Sequence, residues 1–325
     1  MIKIYIYLFI WSMLLGFLFI SMFKRLSIKF PKLLSNGIPM IGGLSIGLAF
    51  LITLFLGFSL YSNLTREIKG IILASLFILL TGVYDDLKEL SIFGKFLVQI
   101  IAASILVIFG IKTQIVNLGE AFNLLITFLW VIGITNAFNH LDIIDGLSGG
   151  VGFIAGVSFL VISILNSEVN VSIINLAFLG ALLSFLFHNL PPAKIYLGNC
   201  GSHFLGFILS AQALLISYAP LERKVALLTP LLILGYPIYD TSFLIFMRLK
   251  NKRPIFKKSN DHLALRFLRK GYPINRVIVY LYLLTFFFCI GGIMVSQLPN
   301  LLATTVIIFM ILIIFILTLR FLKNP

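Results

Sequence analysis

Two adjacent aspartates, Asp85 and Asp86, follow an apolar segment in the stretch TGVYDDLKELSIFGK, residues 81–95. If that segment is a helix, its C-terminal end carries partial negative charge that disfavours anions, and the two carboxylates repel each other as well. A nearby cation would relieve both effects. Mg²⁺ would serve, because it binds one or two carboxylates together with phosphate oxygens. The simpler interpretation is a turn that caps the next helix and is neutralised by Lys88.

A second polar group occurs in ITNAFNHLDIIDGLSGG, residues 134–150, where Asn136, Asn139, Asp142 and Asp145 recur every third position. On a helix this spacing places adjacent members on one face. The four side chains would form a polar ladder suited to phosphate, to sugar hydroxyls or to a second edge of a metal site. A solvated amphipathic helix end is the alternative, but the surrounding sequence is very apolar.

Three further loops could complete a site. Residues 35–43 and 188–206 are rich in Gly and Pro, which permit tight turns and close approach of the backbone to a ligand. Residues 248–276 are basic and offer candidates for pairing with phosphate, namely His262, Arg266, Arg269 and Lys270. All six aspartates and all four histidines lie in or beside one alternating set of loops. Because carboxylates at membrane depth are costly and tend to mark function, we expect a single active site on one face.

The elements that must position these residues are membrane helices. The 325 residues are 60% hydrophobic and 11% charged, with a mean hydropathy of +1.10, which excludes an ordinary soluble domain. Since a span needs about 20 apolar residues, the sequence predicts an all-α, polytopic membrane bundle of about eleven transmembrane helices. The predicted spans are residues 2–23, 40–60, 68–83, 93–110, 122–134, 150–165, 171–187, 204–218, 225–246, 277–296 and 301–319.

The distribution of basic residues predicts the orientation of this bundle. Of the 25 Lys and Arg residues, 19 lie in the loops after odd-numbered spans and in the C-terminus. The N-terminus is therefore expected outside and the C-terminus in the cytoplasm. The net charge of +14 mainly reflects this bias and also attracts anionic lipid and phosphate-bearing substrates. Nothing in the sequence indicates nucleic acid.

The order of five motifs carries a resemblance to a known family. DDLKELS, GKFLVQIIAA, NAFNHLDIIDGLSGG, PPAKIYLGNCGS and GYPIYDT resemble the polyprenyl-phosphate N-acetylhexosamine-1-phosphate transferases. That family includes the bacterial undecaprenyl-phosphate GlcNAc-1-phosphate transferases and the muramoyl-pentapeptide transferase of peptidoglycan synthesis. The resemblance extends over nearly the whole chain. It implies ten or eleven helices in the inner (cytoplasmic) membrane, Mg²⁺ or alternatively Mn²⁺, a UDP-sugar donor and a polyprenyl phosphate acceptor.

The resemblance also implies an architecture and an activity. The chain would be one integral membrane transferase domain, residues 1–325, that releases UMP and initiates a cell-envelope glycan. Its active-site loops would lie on the cytoplasmic face, at residues 24–39, 84–95, 136–149, 188–203 and 247–276. A homodimer is left open.

Roles follow for individual residues. The resemblance gives Asp85 and Asp86 the role of an acidic pair and places Asn199 where the family has a metal-binding aspartate. We expect four catalytic carboxylates, Asp85, Asp86, Asp142 and Asp145, with Asp86 and Asn199 at the metal. The expected substrate-binding residues are Lys88, Lys95, Asn136, Asn139, Asn189, Lys194, His262 and Arg266.

Several positions depart from the family pattern. Asn199 replaces an aspartate, Ile143 a glycine, and HLALR (262–266) a histidine cluster of the form HLHHR, while the first loop lacks an Arg-Lys-x-His run. An Asn carbonyl can ligate Mg²⁺, but the lost charge should weaken metal affinity. A catalytically silent relative that binds lipid phosphate or nucleotide-sugar is therefore an alternative. A lipid-linked sugar transporter is less favoured, because the ionisable residues gather at one face rather than at the midplane. Transfer of a simple HexNAc phosphate is favoured over the muramoyl-pentapeptide reaction.

Overall fold

The computed structural model describes residues 2–27, 29–116, 118–218, 223–254 and 261–323. The chain divides into two compact units, Met1–Ile216 and Ser217–Pro325. Helices account for most of the described residues in both units. The first unit contains α1 (Ile2–Ser27), α2 (Gly42–Tyr61), α3 (Arg66–Leu87), α4 (Ile92–Ile108), α5 (Gly119–Leu141), α6 (Leu147–Leu165), α7 (Val169–Asn189) and α8 (Gly198–Leu215).

Among the described residues of the second unit, a 3₁₀ turn, Lys224–Leu228, is followed by five helices. These are α9 (Thr229–Ile233), α10 (Gly235–Lys250), α11 (Leu263–Arg269), α12 (Ile274–Gln297) and α13 (Asn300–Lys323). The chain bends by 71° between Lys224–Ile233 and Gly235–Lys250. The long helix α12 packs against α9, α10, α11 and α13.

The protein is a multi-pass membrane protein. Within the described residues, seven helices are long and apolar enough to cross a membrane, or eight if the bent pair forms one span. Ile92–Ile108 and Asn300–Ile316 are shorter apolar helices. Each of the eleven predicted segments falls largely on helical structure. Eleven spans and the orientation of the two termini stay predictions.

Helix boundaries differ from the predicted spans where the chemistry lies. The predicted third span ends at residue 83, but α3 continues to Leu87, so Asp85 and Asp86 belong to its last turn rather than to the loop after it. Likewise α5 continues to Leu141 and carries Asn136 and Asn139. Counting apolar residues identifies the segment that suits lipid. The helix itself is longer, because its backbone hydrogen bonding continues into the polar residues that follow.

Helix α8 lies at the centre of the first unit, packed against α2, α3, α5 and α6. All of residues 200–213 are buried. Glycines allow this close packing, because a Cβ at Gly43 would lie 2.1 Å from the backbone nitrogen of Gly201, and one at Gly82 would lie 2.6 Å from Cys200 Cα. The second contact brings the start of α8 against the end of α3. Helix α7 is also deeply buried, against α1, α2 and α6.

The two Gly- and Pro-rich loops are joined by backbone hydrogen bonds. Residues 34–39 form a small hairpin of β1 (Leu34–Ser35) and β2 (Ile38–Pro39), paired Leu34 to Pro39. Beyond it, Tyr196 N donates to Pro39 O (2.8 Å) and Gly42 N donates to Tyr196 O (3.0 Å). The start of α2 is therefore fixed against the segment that leads into α8.

Candidate active site

Asp86 caps the N-terminus of α8. Its Oδ1 accepts a hydrogen bond from Asn199 N at 2.8 Å, and its Oδ2 accepts one from Cys200 N at 3.2 Å. These are two of the free N–H groups at a helix N-terminus, where partial positive charge favours a carboxylate. The N-terminus of α8 thus supplies part of the positive charge that we expected near Asp86. A carboxylate has about four lone-pair positions, so Asp86 keeps acceptor capacity for another ligand.

Gly198 makes this arrangement sterically feasible. Its φ of +75° lies in the left-handed region, and a Cβ there would lie 2.7 Å from Asp86 Oδ2. A side chain at residue 198 would therefore both strain the backbone and displace the carboxylate.

Asp85 has different partners from Asp86. Its Oδ1 accepts from Leu90 N at 2.6 Å, its Oδ2 lies 2.8 Å from Lys95 Nζ, and 1% of its side chain is exposed. Asp85 thus closes the turn between α3 and α4, as the simpler interpretation expected, but the residue that caps α4 is Ser91. The neutralising residue is Lys95, however, and not Lys88, whose side chain is exposed with its ammonium 5.8 Å from the ring centroid of Tyr84.

The predicted polar ladder separates into parts. Asn136 faces α4 and exchanges hydrogen bonds with Gln99 at 2.7 and 3.3 Å. Asn139 faces α8 and donates to Ser202 Oγ at 2.9 Å and to Asn199 Oδ1 at 3.3 Å. The expectation of one shared face is wrong, because α5 ends at Leu141 and the two aspartates lie beyond its last helical residue.

Asp145 and Asn189 fasten the loop that follows α5. Asp145 Oδ2 accepts from Ala193 N at 3.0 Å. Asn189 is buried, accepts from Gly146 N at 2.9 Å and donates to Ile195 O at 2.9 Å. Two connections therefore hold residues 142–146 against residues 189–195. The neighbouring Lys194 has an exposed side chain.

Asp142 is exposed and makes no hydrogen bond to a residue that the structure describes. Desolvation by the surrounding protein, followed by the charges of Asp86 and Asp145, raises the pKa of Asp142 to about 7. Since the side chain itself reaches solvent, we attribute more of this shift to the two neighbouring carboxylates. The three aspartates thus form one electrostatically coupled group, and the free carboxylate of Asp142 favours a bound cation.

The residues at this end of the unit fit a divalent cation. Asp86 and Asp142 offer carboxylate oxygens, and the Oδ1 of Asn199 is held by one long hydrogen bond from Asn139. Among the described residues, no three His, Cys, Asp or Glu side chains are arranged to hold a metal ion by themselves. Mg²⁺ does not need such a cage, because one or two carboxylates with phosphate oxygens and water suffice.

The two substrate-binding candidates of the second unit are buried with acidic partners. His262 Nδ1 lies 2.8 Å from Asp240 Oδ2. The guanidinium of Arg266 lies 5.0 Å from the ring centroid of Phe243 and 3.8 Å from Asp261 Oδ1. All of these contacts lie within the second unit.

Four residues that organise these groups were not predicted. Ser202 receives the hydrogen bond from Asn139, Gln99 pairs with Asn136, Gly198 admits Asp86, and Asp240 pairs with His262. Each had a signal in the sequence: Gln99 and Asp240 interrupt apolar segments, and Gly198 and Ser202 flank Asn199. The partners of these residues could not be read from one sequence.

A cavity of about 390 Å³ lies away from this group. It is lined by the N-terminal end of α3, the link between α6 and α7, and the end of α8: Thr65, Glu67, Ile68, Ser167, Glu168, Val169, Asn170, Val171, Ile174 and Leu215. At 1.5 Å per residue, the length of α3 separates it from Asp86 by roughly 27 Å. It therefore has no part in the carboxylate site.

Comparison with known proteins identifies a matching family and several relatives of this chain. Residues 68–217 match the model of glycosyl transferase family 4. This segment includes Asp85, Asp86, Asp142, Asp145 and Asn199. A relative from Bacillus subtilis (strain 168), named a probable undecaprenyl-phosphate N-acetylglucosaminyl 1-phosphate transferase, is 32% identical over 305 residues. That alignment covers 89% of this chain and 84% of the relative.

Two further relatives have related names. The decaprenyl-phosphate N-acetylglucosaminephosphotransferase of Mycobacterium tuberculosis (strain ATCC 25618 / H37Rv) is 30% identical over 280 residues, 75% of this chain and 69% of the relative. The phospho-N-acetylmuramoyl-pentapeptide-transferase of Limosilactobacillus fermentum is 31% identical over 202 residues, 56% of this chain and 61% of the relative.

The chain is a multi-pass, α-helical membrane protein, and its family and relatives show that it is an enzyme of the transferase class. The chain belongs to glycosyl transferase family 4, and its relatives include polyprenyl-phosphate N-acetylglucosamine-1-phosphate transferases. The resemblance carried by the five sequence motifs is thereby confirmed.

Proposed function

We propose that this enzyme transfers an N-acetylhexosamine-1-phosphate, with GlcNAc-1-phosphate the first candidate, from a UDP-sugar to a polyprenyl phosphate such as undecaprenyl phosphate. UMP is released, and the lipid-linked product initiates a cell-envelope glycan at the cytoplasmic face of the inner membrane. The observation that carries the proposal is the group of Asp86, Asn199 and Asn139 at the start of α8, within the segment that matches the family.

The reaction requires one bond exchange at phosphorus. An oxygen of the lipid phosphate attacks the phosphorus that bears the sugar, a new P–O–P linkage forms, and the bond to the uridylyl group breaks to release UMP. A phosphomonoester has a second pKa near ~6, so the nucleophile is largely ionised at neutral pH. A strong general base is unnecessary. The protein must instead align the reactants and neutralise charge on the transferring group.

The contacts of the site assign distinct tasks to the chain. Asp86, Asp142 and the Oδ1 of Asn199 would hold Mg²⁺, which would supply positive charge beside the phosphates. Asn139 orients the Asn199 side chain through its hydrogen bond to Oδ1. Asp145 supports the loop that carries Asp142 by accepting from Ala193 N.

Asp85 and Lys95 have a supporting role in this proposal. Since 1% of the Asp85 side chain is exposed, this carboxylate acts by fixing the α3–α4 turn and not by contacting the acceptor phosphate. The Lys95 side chain keeps 21% of its surface exposed and provides a fixed cation at the same end of the unit.

The relatives support the choice of sugar. Relatives named GlcNAc-1-phosphate or GlcNAc phosphotransferases align over 89% and 75% of this chain, whereas two relatives named muramoyl-pentapeptide transferases align over 66% and 56% of it. UDP-GlcNAc is therefore the first donor to test, with other UDP-HexNAc donors next.

Release of UMP by the detergent-purified protein tests this proposal. We expect release from UDP-GlcNAc only when undecaprenyl phosphate and Mg²⁺ are both present. Asp142→Asn should abolish it, whereas Glu89→Gln, which neutralises an exposed carboxylate in the α3–α4 turn, should retain it. Lipid-independent release, or equal effects of the two variants, would refute the proposal.

A second candidate function rests on Asn199, because an asparagine supplies one negative charge fewer at the metal position than an aspartate would. In that case the protein binds nucleotide-sugar or lipid phosphate without turnover. No release from any UDP-HexNAc by the wild type, together with saturable UDP-GlcNAc binding, would establish this alternative.

A further inference from the structure

Helix α4 buries one polar side chain among apolar ones, and the proposed reaction assigns it no task. Of the described residues of α4, those that are buried are Gln99, Ala102, Ala103 and Leu106. Gln99 is 2% exposed. A buried amide is costly unless it is hydrogen-bonded, so the partner of Gln99 indicates what the residue is for.

That partner is Asn136 on α5. Asn136 Nδ2 donates to Gln99 Oε1 at 2.7 Å, and Gln99 Nε2 donates to Asn136 Oδ1 at 3.3 Å. Asn136 Nδ2 also donates to Ile132 O at 2.8 Å within its own helix. Both hydrogens of the Asn136 amide are therefore engaged within the protein. The two amides join α4 to α5 by a reciprocal pair of hydrogen bonds.

This amide pair specifies one register of α4 against α5. The other buried residues of α4 make apolar contacts, which are non-directional. The amides are directional, because a shift of one helix by a turn, about 5.4 Å, would leave both without a partner. Fixing helix register is the best-attested use of a polar group in an apolar interface.

The register of α4 determines where Lys95 lies. Lys95 comes four residues before Gln99, on the same face of the helix. Its Nζ lies 2.8 Å from Asp85 Oδ2, and 21% of its side chain is exposed. An ammonium has three donors, and Asp85 takes one. Within the part of the chain that the structure describes, the other two have no partner. The charge of Lys95 also acts on Asp86.

On α5 the amide pair lies one turn before Asn139, which donates to Asn199 Oδ1 at 3.3 Å. The register of α4 against α5 therefore sets the position of Lys95 relative to Asn199. We propose that Gln99 is a positioning residue for sugar-phosphate transfer: its pair with Asn136 holds Lys95 where the ammonium meets an anionic phosphate oxygen. This inference rests on the proposed function. The oxygen belongs to the nucleotide-sugar or to the lipid phosphate, and a raised KM for one of the two substrates reports which.

Replacing both amides separates positioning from simple stabilisation. Gln99→Leu alone leaves the Asn136 amide unpaired and should lower the thermal midpoint. The apolar pair, Gln99→Leu with Asn136→Leu, should recover that midpoint, because replacing both partners by apolar groups of similar size is nearly neutral. We expect the apolar pair nevertheless to lose about tenfold in kcat/KM for UMP release, since a misplacement near ~1 Å can cost ~10²-fold. An apolar pair with the kcat/KM of the wild type would overturn the inference.

An exchange of the two side chains tests for rescue. Gln99→Asn with Asn136→Gln restores two amides across the same gap, and it should recover most of the kcat/KM that the apolar pair loses. A rate no better than that of the apolar pair would contradict the inference.

Thr127→Val is the matched control. It removes the hydrogen bond from Thr113 N to Thr127 Oγ1, 2.9 Å, which ties α5 to the link after α4 some 13 Å along α5 from Asn136, at about 1.5 Å per residue. It should lower the thermal midpoint and keep the kcat/KM of the wild type.

A further cycle asks whether the effect passes through Lys95. Lys95→Gln removes the cation but keeps a donor for Asp85. In the Lys95→Gln chain the apolar pair should cost no further activity, because residues that act as a unit are not additive. Losses that multiply would overturn the inference.

A binding measurement separates failure of this inference from failure of the proposed function. UDP-GlcNAc and undecaprenyl phosphate, each tested alone with Mg²⁺, should raise the thermal midpoint of the wild type. The apolar pair and Lys95→Gln should reduce the shift for the same one of these ligands, and by the same amount. An inactive wild type that shows this pattern would refute the proposed function but keep the placement of Lys95.

Two other results are decisive. An active wild type whose kcat/KM and thermal shifts are unchanged by the apolar pair would refute the inference alone. A wild type that neither turns over nor binds either ligand would overturn both the inference and the proposed function.

Discussion

Replacing Gly198 with alanine tests whether the acidic site depends on the position of Asp86 against α8. The change adds one methyl group at a residue with φ +75°, and the new Cβ would lie 2.7 Å from Asp86 Oδ2 and 3.2 Å from its Cγ. Ordinary contact begins at 3.4 Å. The carboxylate must therefore move by roughly 0.7 Å, at the expense of its hydrogen bonds to Asn199 N and Cys200 N, and a misplacement near ~1 Å can cost ~10²-fold in rate.

The magnitudes predict a larger effect on activity than on stability. A non-glycine residue in the left-handed region costs about 1–2 kcal/mol. Each weakened hydrogen bond to a carboxylate adds up to about 1.5–3 kcal/mol, less whatever the shifted carboxylate recovers. We expect Gly198→Ala to remain folded with a lower thermal midpoint and to lose about tenfold to a hundredfold in kcat/KM for UMP release.

Gly119→Ala is the matched control for this experiment. Gly119 also has a left-handed φ, +69°, but a Cβ there would have no heavy atom within 4 Å. It should show the backbone cost in its thermal midpoint and keep wild-type kcat/KM. Full activity in Gly198→Ala, or an equal loss of activity in both variants, would refute the argument that Asp86 must be held at the start of α8.

Three further predictions follow from the same contacts. Because the pKa of Asp142 is raised from its ordinary ~3.9 to about 7, the folded, metal-free protein holds that proton more tightly than the unfolded chain. The free energy of unfolding therefore falls as the pH rises from about 4 to about 7. Asp142→Asn should raise the thermal midpoint at pH 8 but not at pH 4, and equal shifts at both pH values would contradict this. Asp85→Asn should lower the free energy of unfolding by about 3 kcal/mol, because it leaves Lys95 without its buried partner. Lys95→Met in the same chain should recover part of this loss. Losses that simply add in chemical unfolding would contradict this prediction. Asn199→Asp should lower the Mg²⁺ concentration for half-maximal UMP release several-fold, and an unchanged Mg²⁺ requirement would remove Asn199 from the metal site.

The helical membrane architecture and the polar residues that lie near Asp86 could be predicted because both follow from local sequence. Apolar length identified the helical segments, and the polar motifs of residues 81–95, 134–150 and 188–206 identified one end of the first unit. Asp86, Asn139, Asp142 and Asn199 do gather there. Local sequence is sufficient when a property depends on composition along one helix.

The pairing of individual side chains could not be predicted, because it depends on how helices pack. Asp85 and Asp86 are adjacent in sequence, yet one binds Lys95 and the other the start of α8, more than a hundred residues away. Asn136 and Asn139 have the spacing of one helix face, yet they meet α4 and α8 respectively. Close approach of helices at glycines such as Gly82 decides these partners, and a single sequence does not encode which helices meet.

The central claim is that sugar and phosphorus move together to the lipid. The most direct measurement supplies UDP-GlcNAc that carries radioactive phosphorus at the phosphate next to the sugar, with undecaprenyl phosphate, Mg²⁺ and the wild-type enzyme. The account predicts that the label appears in the organic-extractable lipid, in step with unlabelled UMP, and that Asp142→Asn prevents this. Label that stays with the nucleotide as UDP while the sugar reaches the lipid would contradict it.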